Sequence, residues 1–215
     1  MARKESGFIN MVAALFVVTF IASSALAIIH ELTKEPIARS KMEKKENAIT
    51  GVVPNFNNDP VQERKEVEVD NSTLYLYFAR MGNEVTGIAV ETYTYNGFSG
   101  LIRLMVGFLP DGTINGIAVL EHLETPGLGD KIENLKSYDK STGRSWSSQF
   151  QGKHPANFTL KVKKDNGDVD AITAATITSR AYCDAVRKAY EGFRIIKEKS
   201  GADFMPDTSS INDSG

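Results

Sequence analysis

Residues 7–29 read GFINMVAALFVVTFIASSALAII, 23 positions without one charged side chain. An α-helix rises ~1.5 Å per residue, so about 20 apolar residues cross the hydrocarbon core of a bilayer. Asn10, Thr19, Ser23 and Ser24 are the only clearly polar members, and they do not gather into a polar face. A helix covering a soluble core would show such a face. The segment therefore predicts a membrane-spanning helix in contact with lipid. A cleaved signal peptide is the competing reading, with Arg3 and Lys4 as its basic head and Ala25-Leu26-Ala27 as its cleavage site, giving a secreted soluble product. The apolar run exceeds the usual ~7–15 residues of a signal peptide, which favours a retained anchor over residues 1–30.

Charge gives a mixed signal for orientation. Arg3 and Lys4 precede the segment, whereas Lys34, Arg39, Lys41, Lys44 and Lys45 follow it, and counting positive charges alone would retain the following side. A short basic head before a first apolar helix is nevertheless the pattern of a signal anchor, so the following domain is expected to be exported. The helix carries no charge with which to build an ion path. Its small residues Ala13, Ala14, Ala22, Ser23 and Ala25 suit packing against other membrane helices.

Beyond the membrane segment, 25 basic residues against 27 acidic ones argue against a nucleic-acid binder. One cysteine, Cys183, excludes an internal disulfide, a thiolate zinc cage and a cysteine-ligated iron–sulfur cluster within the chain. His30, His122 and His154 lie far apart, so no metal site is expected. Residues 31–65 open with a charged, helix-prone stretch in which Pro36 is placed to start a helix. Its few apolar positions suggest a stalk, and NFNNDP at 55–60 reads as a loop.

From residue 66 the hydrophobic pattern changes to period two. Leu74, Leu76 and Phe78 alternate, as do Ile88, Val90 and Thr92. Two apolar runs, 101–109 and 113–120, flank Pro110-Asp111-Gly112 and predict a β-hairpin. Phe158, Leu160 and Val162 alternate before the turn Lys164-Asp165-Asn166-Gly167 and predict another strand. Tyr182, Ala185, Val186, Ala189, Tyr190, Phe193 and Ile196 recur at helical spacing, with Thr178 or Ser179 available as a cap. Strands joined by tight turns and a terminal helix give an α+β domain over 66–200, rich in antiparallel pairing. The polar residues 201–215 read as a mobile tail.

No phosphate-binding GxxxxGK[ST] loop and no HExxH are present, and Gly127-Leu128-Gly129 lacks the third glycine of a dinucleotide fingerprint. His122 and His154 are hydrolase bases only by default. Cys183 falls on the apolar side of the helix and reads as a small buried hydrophobe. Trp146 reads as a core residue or loop anchor. The segment that stands out is Asp170-Ala171-Ile172-Thr173-Ala174-Ala175-Thr176-Ile177-Thr178-Ser179. Small and hydroxylated residues at the start of a helix offer unpaired N–H groups and the positive end of the helix dipole, which suits a phosphate. An ordinary Thr/Ser helix cap is the competing reading.

That segment resembles the flavinylation motif of membrane flavoproteins with an exported FMN-binding domain, in which Asp, two residues, Ser or Thr, Gly, Ala and Thr follow in order. Asp170, Thr173, Ala175 and Thr176 match, and Ala174 stands where the family has glycine. Tyr95-Asn96-Gly97-Phe98-Ser99-Gly100-Leu101-Ile102 is similar to the family's glycine-containing aromatic loop, and Glu124-Thr125-Pro126-Gly127-Leu128-Gly129 to the loop after its hairpin. Thr33-Lys34-Glu35-Pro36-Ile37 is closer to the G subunit of the Rnf complex than to the C subunit of the sodium-translocating NADH:quinone reductase.

The resemblance implies an electron-transfer subunit of an ion-translocating ferredoxin:NAD oxidoreductase. It would carry FMN on Thr176 through a phosphoester made by a separate flavin transferase, and would be held in the inner membrane beside other subunits with its domain on the periplasmic side. Asp170, Thr173, Ala175, Gly97, Ser99 and Leu128 are carried over as cofactor-binding positions. Glu124 is expected to disfavour charge on the reduced ring, Thr125 to bond a ring heteroatom, and Gly127 with Gly129 to allow close approach. Tyr93, Tyr95, Phe98 and Trp146 are candidate ring neighbours. Two other readings stay open: the C subunit of the quinone reductase, and a non-redox tethered binding domain.

Overall fold

The computed structural model describes residues 7–199. Arg3, Lys4 and the stretch 201–215 that reads as a tail lie outside the described residues. Helix α1, Phe8–Val52, is continuous over 45 residues and includes the apolar segment, which is long and apolar enough to cross a membrane. Two of its polar side chains bond back to the helix. The Thr19 hydroxyl donates to the carbonyls of Leu15 (2.9 Å) and Phe16 (3.0 Å), and the Ser23 hydroxyl to that of Phe20 (3.1 Å). Such back-bonding hides hydroxyls where lipid offers no partner.

Pro36 corrects one expectation: it sits inside α1 and does not start a helix. The flanking residues are strong helix formers, and Arg39 pairs with Glu35 at 2.9 Å one turn apart, so the helix continues through the lost hydrogen bond. The compact units of the chain divide between Lys44 and Lys45. The end of the stretch read as a stalk thus lies in the second unit, where Ala48, Ile49, Val52 and Val53 are buried.

That unit is built on a five-stranded antiparallel meander: β1 Lys65–Val69, β2 Ser72–Met81, β3 Glu84–Gly97, β4 Gly100–Phe108 and β5 Ile114–His122, in spatial order β1-β2-β3-β4-β5. The first hairpin turns at Asp70-Asn71, both left-handed (φ 48° and 57°), the conformation a two-residue hairpin turn requires and Asp and Asn tolerate. The expected hairpin at Pro110-Asp111-Gly112 joins β4 to β5, its turn held by Gly112 N–H to the Leu109 carbonyl at 2.9 Å.

The period-two pattern sorts the side chains to two faces. Leu74, Leu76, Phe78, Ile88, Val90, Leu104 and Val106 enter the main core. Tyr77, Ala79, Ala89 and Met105 point the other way and pack with Ala48, Ile49, Val52 and Val53 from the end of α1. Helix α2, Thr176–Lys199, covers the main-core face with the stripe its spacing predicts, Tyr182, Ala185, Val186, Ala189, Phe193 and Ile196 being buried and Tyr190 partly buried against the same core. The Thr92 hydroxyl on β3 donates to the Ala185 carbonyl at 3.0 Å and ties helix to sheet. The fold is the α+β class expected.

Two local expectations fail. Residues 158–162 do not form a strand: Val162 makes one isolated parallel bridge with Val169, and Lys163–Asp165 is a 3-10 turn ending at left-handed Asn166 (φ 59°). Leu160 and Val162 are buried, so the alternation recorded burial, but the reversal at Asn166 leaves no length of chain to pair with. Thr178 and Ser179 do not cap α2, because the helix begins at Thr176 and both lie buried within its first turn. Trp146 anchors a loop, packing edge-on against Tyr182 (5.0 Å) and Phe150 (5.6 Å), while its indole N–H donates to the Asp170 carbonyl at 2.6 Å.

Candidate functional site

The site forms where the first turn of α2 meets the loop after β5 and the tip of the β3–β4 hairpin. The path of the chain into α2 is set by Ala174, whose φ of 62° is left-handed. A β-carbon makes that conformation costly, by roughly 1–2 kcal/mol, which accounts for glycine in the motif it resembles. Ser179 then fastens the turn. Its hydroxyl donates to the Ala175 carbonyl and accepts the Ile172 N–H, each at 3.0 Å. Ser179 N–H is the first helical donor, reaching the Ala175 carbonyl at 3.0 Å. The N–H groups of Thr176, Ile177 and Thr178 therefore precede any helical acceptor and sit at the positive end of the dipole.

Facing this turn is Glu124, only 4% exposed. Its Oε2 accepts the Thr178 hydroxyl at 2.8 Å, and its Oε1 accepts the Ser99 N–H at 3.4 Å. Two glycines make room for it. A Cβ on Gly97 would lie 2.5 Å from the Gly100 carbonyl oxygen, and one on Gly129 would lie 2.5 Å from Glu124 Oε2 and 2.9 Å from Thr178 Oγ1. Neither position accepts a larger residue without a shift of the groups around the carboxylate.

Behind Glu124 runs a chain of polar contacts. Its N–H donates to His122 Nδ1 at 3.1 Å, and His122 Nε2 lies 2.9 Å from Glu133 Oε1. Lys136 Nζ reaches Glu133 Oε2 at 3.6 Å and Asp130 Oδ2 at 3.2 Å. Burial opposes charge on Asp130, but the Gly127 N–H and the Lys136 ammonium outweigh it and hold its carboxyl below the usual range. Both nitrogens of His122 are engaged, and so are those of His154, with the Asp111 carbonyl and the Ala156 N–H. Neither ring offers a free base. Among the described residues, no group of His, Cys, Asp and Glu could hold a metal ion.

A cavity of about 310 Å³ opens over this arrangement, lined by Phe98, Glu124, Thr125, Leu128, Gly129 and residues 174–178. Its size falls at the small end of the ~300–1,000 Å³ found for small-molecule sites. Of the cofactor positions singled out in the sequence, Phe98, Glu124, Thr125, Leu128, Gly129, Ala175 and Thr176 share this lining. Gly97 and Ser99 stand behind Glu124. Gly127 is exposed and left-handed (φ 79°) and shapes the turn without lining the cavity. Asp170 and Thr173 are exposed and lie outside the lining. The Asp170 carboxylate pairs with Lys163 at 2.8 Å. Thr178 looks like a cap from the sequence, and its pairing with Glu124 is visible only in the fold. The contact of His122 with the Glu124 backbone has one signal in the sequence, the His-x-Glu spacing at a strand end.

An anionic ligand with a flat, largely apolar body fits these features. The cavity has Phe98, Leu128 and Ile177 as apolar walls and the amide groups of the α2 terminus at one end. The residues present therefore fit FMN.

Comparison with known proteins agrees. The FMN-binding domain family matches residues 97–191. The G subunit of the ion-translocating oxidoreductase complex of Shewanella amazonensis is 36% identical over 178 residues, covering 78% of this chain and 80% of that protein. The protein of the same name from Yersinia pestis is 37% identical over 177 residues, covering 78% and 81%. That from Vibrio atlanticus is 34% identical over 200 residues, covering 88% and 90%.

Proposed function

The chain belongs to the family of G subunits of ion-translocating oxidoreductase complexes, and on that footing we propose how its residues serve electron transfer there. It is a single-pass membrane protein and a flavoprotein subunit that uses FMN. Its partners are the other subunits of the complex. Relatives are named as G subunits, which favours the Rnf complex over the quinone reductase. The finer reading is a ferredoxin:NAD oxidoreductase in the inner membrane, with the FMN domain on the periplasmic side and the apolar part of α1 in lipid.

FMN, when bound, supplies one- and two-electron redox chemistry at its ring. The chain supplies attachment, position and electrostatics. Thr176 is the attachment residue, its hydroxyl linked by a phosphoester that a flavin transferase makes. The free N–H groups of the first α2 turn stabilise the remaining phosphate charge. Leu128, Phe98 and Ile177 hold apolar surface against the ring, and Thr125 is placed to bond a ring heteroatom. Glu124 puts a carboxylate beside the cavity and disfavours added negative charge there. Attachment keeps the cofactor from being lost by dilution outside the cytoplasm.

The observation that carries this reading is Thr176 itself, at the first position of α2 and in the wall of the cavity. The test is to produce the full chain with an active flavin transferase, denature it in SDS and look for flavin fluorescence on the protein band. Fluorescence that survives in wild type and vanishes in Thr176→Ala supports attachment at Thr176. A dark wild-type band beside a fluorescent control protein refutes it. Digestion of the domain by protease added to intact spheroplasts supports the periplasmic side, and full protection refutes it.

A further inference from the structure

We infer that His122 is a positioning residue for the flavin cavity, holding Glu124 in place through its backbone. The inference rests on the proposed FMN site. It is carried by the direction of two hydrogen bonds. A backbone N–H can only donate, so the ring nitrogen 3.1 Å from Glu124 N, His122 Nδ1, is an acceptor and carries no proton. The ring proton is then on Nε2, directed at Glu133 Oε1 at 2.9 Å. Glu133 selects the tautomer that Glu124 needs, the same division of labour by which a carboxylate orients a catalytic or metal-binding imidazole.

His122 is suited to this by its place in the fold. It ends β5 and pairs across the sheet with Ile102, so its backbone is fixed by the core. Its side chain is 11% exposed, which limits competition from water. The next residue, Leu123, donates its N–H to the Leu101 carbonyl at 3.2 Å, after which the ladder stops. From Glu124 the chain leaves the sheet, and the imidazole holds the Glu124 backbone to the strand end, while Ser99 N–H at the hairpin tip reaches only its side chain. The loop is closed at its other end by Asp130, whose N–H reaches the Thr125 carbonyl at 3.4 Å and whose carboxylate is held by Lys136. Lys136 also contacts Glu133, so both ends of the loop hang on one carboxylate–ammonium–carboxylate bridge.

Two substitutions separate the two bonds. In His122→Asn the side-chain oxygen sits near the place of Nδ1 and can accept the Glu124 N–H, while nothing reaches Glu133. In His122→Gln the terminal amide reaches towards Glu133, while the Glu124 N–H loses its acceptor. The full chain in detergent is used, with and without attached flavin. Without flavin, hydrogen exchange at the Glu124 amide is expected to accelerate at least tenfold in His122→Gln and to stay within threefold of wild type in His122→Asn. With flavin, and poised at the wild-type midpoint, the ratio of reduced to oxidised flavin is expected to rise at least threefold in His122→Gln as the Glu124 carboxylate moves away. It stays near 1:1 in His122→Asn. Unchanged exchange and unchanged flavin ratio in His122→Gln overturn the inference. Equal effects in both variants overturn it too, because they mark a packing role only. A wild-type chain that cannot be flavinylated sinks the FMN reading, and the exchange measurement then still decides whether His122 holds Glu124.

Discussion

The Thr178 hydroxyl donates to Glu124 Oε2 at 2.8 Å across 54 residues of sequence, joining the first turn of α2 to the loop after β5. Both side chains are nearly inaccessible, Thr178 at 1% and Glu124 at 4%. A buried carboxylate is costly unless its oxygens are bonded. This contact therefore both stabilises the domain and sets the charge beside the cavity.

Thr178→Val keeps the shape of the side chain and removes the donor. It is expected to lower stability by about 1.5–3 kcal/mol, the range for a hydrogen bond to a charged group. Thermal melting of the full chain in detergent, followed by fluorescence of its one tryptophan, measures the loss. Thr178→Ser should recover most of it. An unchanged melting temperature in Thr178→Val would mean that Glu124 gains nothing from the contact.

Glu124→Gln tests the electrostatic role separately. The neutral amide no longer opposes added negative charge in the cavity, so the flavin midpoint potential should rise. A shift of roughly 30 mV corresponds to about 1.4 kcal/mol for a two-electron couple. Redox titration of the flavinylated protein decides it, and no shift or a fall removes Glu124 as a tuning residue.

Ala174 holds φ at 62°, where glycine is at ease and other residues are strained. Ala174→Gly is expected to stabilise the protein by up to about 1 kcal/mol, the relief of strain exceeding the extra entropy of glycine in the unfolded chain. For a domain of this size that is an increase of roughly 2–4 °C in melting temperature. Ala174→Val, with a branched side chain in the same conformation, should melt lower than wild type. The opposite order would show that the left-handed turn is not populated.

Much of this architecture is legible in the sequence because it is written in short-range periodicity. Leu74-x-Leu76-x-Phe78 and the runs around Pro110-Asp111-Gly112 specify strands and a turn, and the Tyr182 to Ile196 stripe specifies one face of α2. The same alternation misleads at Phe158, Leu160 and Val162, where two side chains are buried but, among the described residues, no strand lies alongside. At Pro36, local propensity on both sides overrides the residue. The cavity is legible only in part. Thr176 and the loop 124–129 announce themselves by residue type, but their meeting is a tertiary event. Thr178 looks like a cap from its neighbours alone. Asp170 belongs to the same short motif as Thr176, yet its carboxylate goes to Lys163. His122 acts through a ring nitrogen and a backbone N–H, a pairing that no periodicity encodes.

On the other sheet face, Glu91 is 5% exposed and accepts from Lys45 (2.9 Å), Tyr77 (2.8 Å) and Arg103 (3.2 Å). Burial works against its charge, but the Lys45 and Tyr77 bonds more than offset it and hold the carboxyl below its ordinary value of 4.5. A depressed folded value gives stability that is fully present above the unfolded value and lost as pH falls through the folded one. Wild type should therefore lose melting temperature steadily below about pH 4.5, and part of that slope should vanish in Glu91→Gln. At neutral pH the variant should be less stable by about 1–3 kcal/mol, because Lys45 loses its carboxylate partner and Arg103 keeps only Glu121, although both cations stay partly in contact with water. Parallel pH profiles for the two proteins would refute the assignment.

Cys183 lies in the buried stripe of α2, 2% exposed, and burial pushes its thiol up to about 12, with Asp165 and Asp184 adding to the effect. The thiolate is the reactive form, so the folded protein offers almost none at pH 8. A disulfide reagent such as DTNB should leave the folded chain unlabelled for hours and take up one equivalent per chain in denaturant. A raised folded value also means stability that is present below the ordinary thiol value of 9.0 and declines as pH rises towards 12. Cys183→Ala should lessen that alkaline decline, leaving the share that the buried phenols of Tyr77 and Tyr182 contribute, while costing stability at pH 7 through the lost packing. Prompt labelling of the folded chain at pH 8 would show that α2 opens locally.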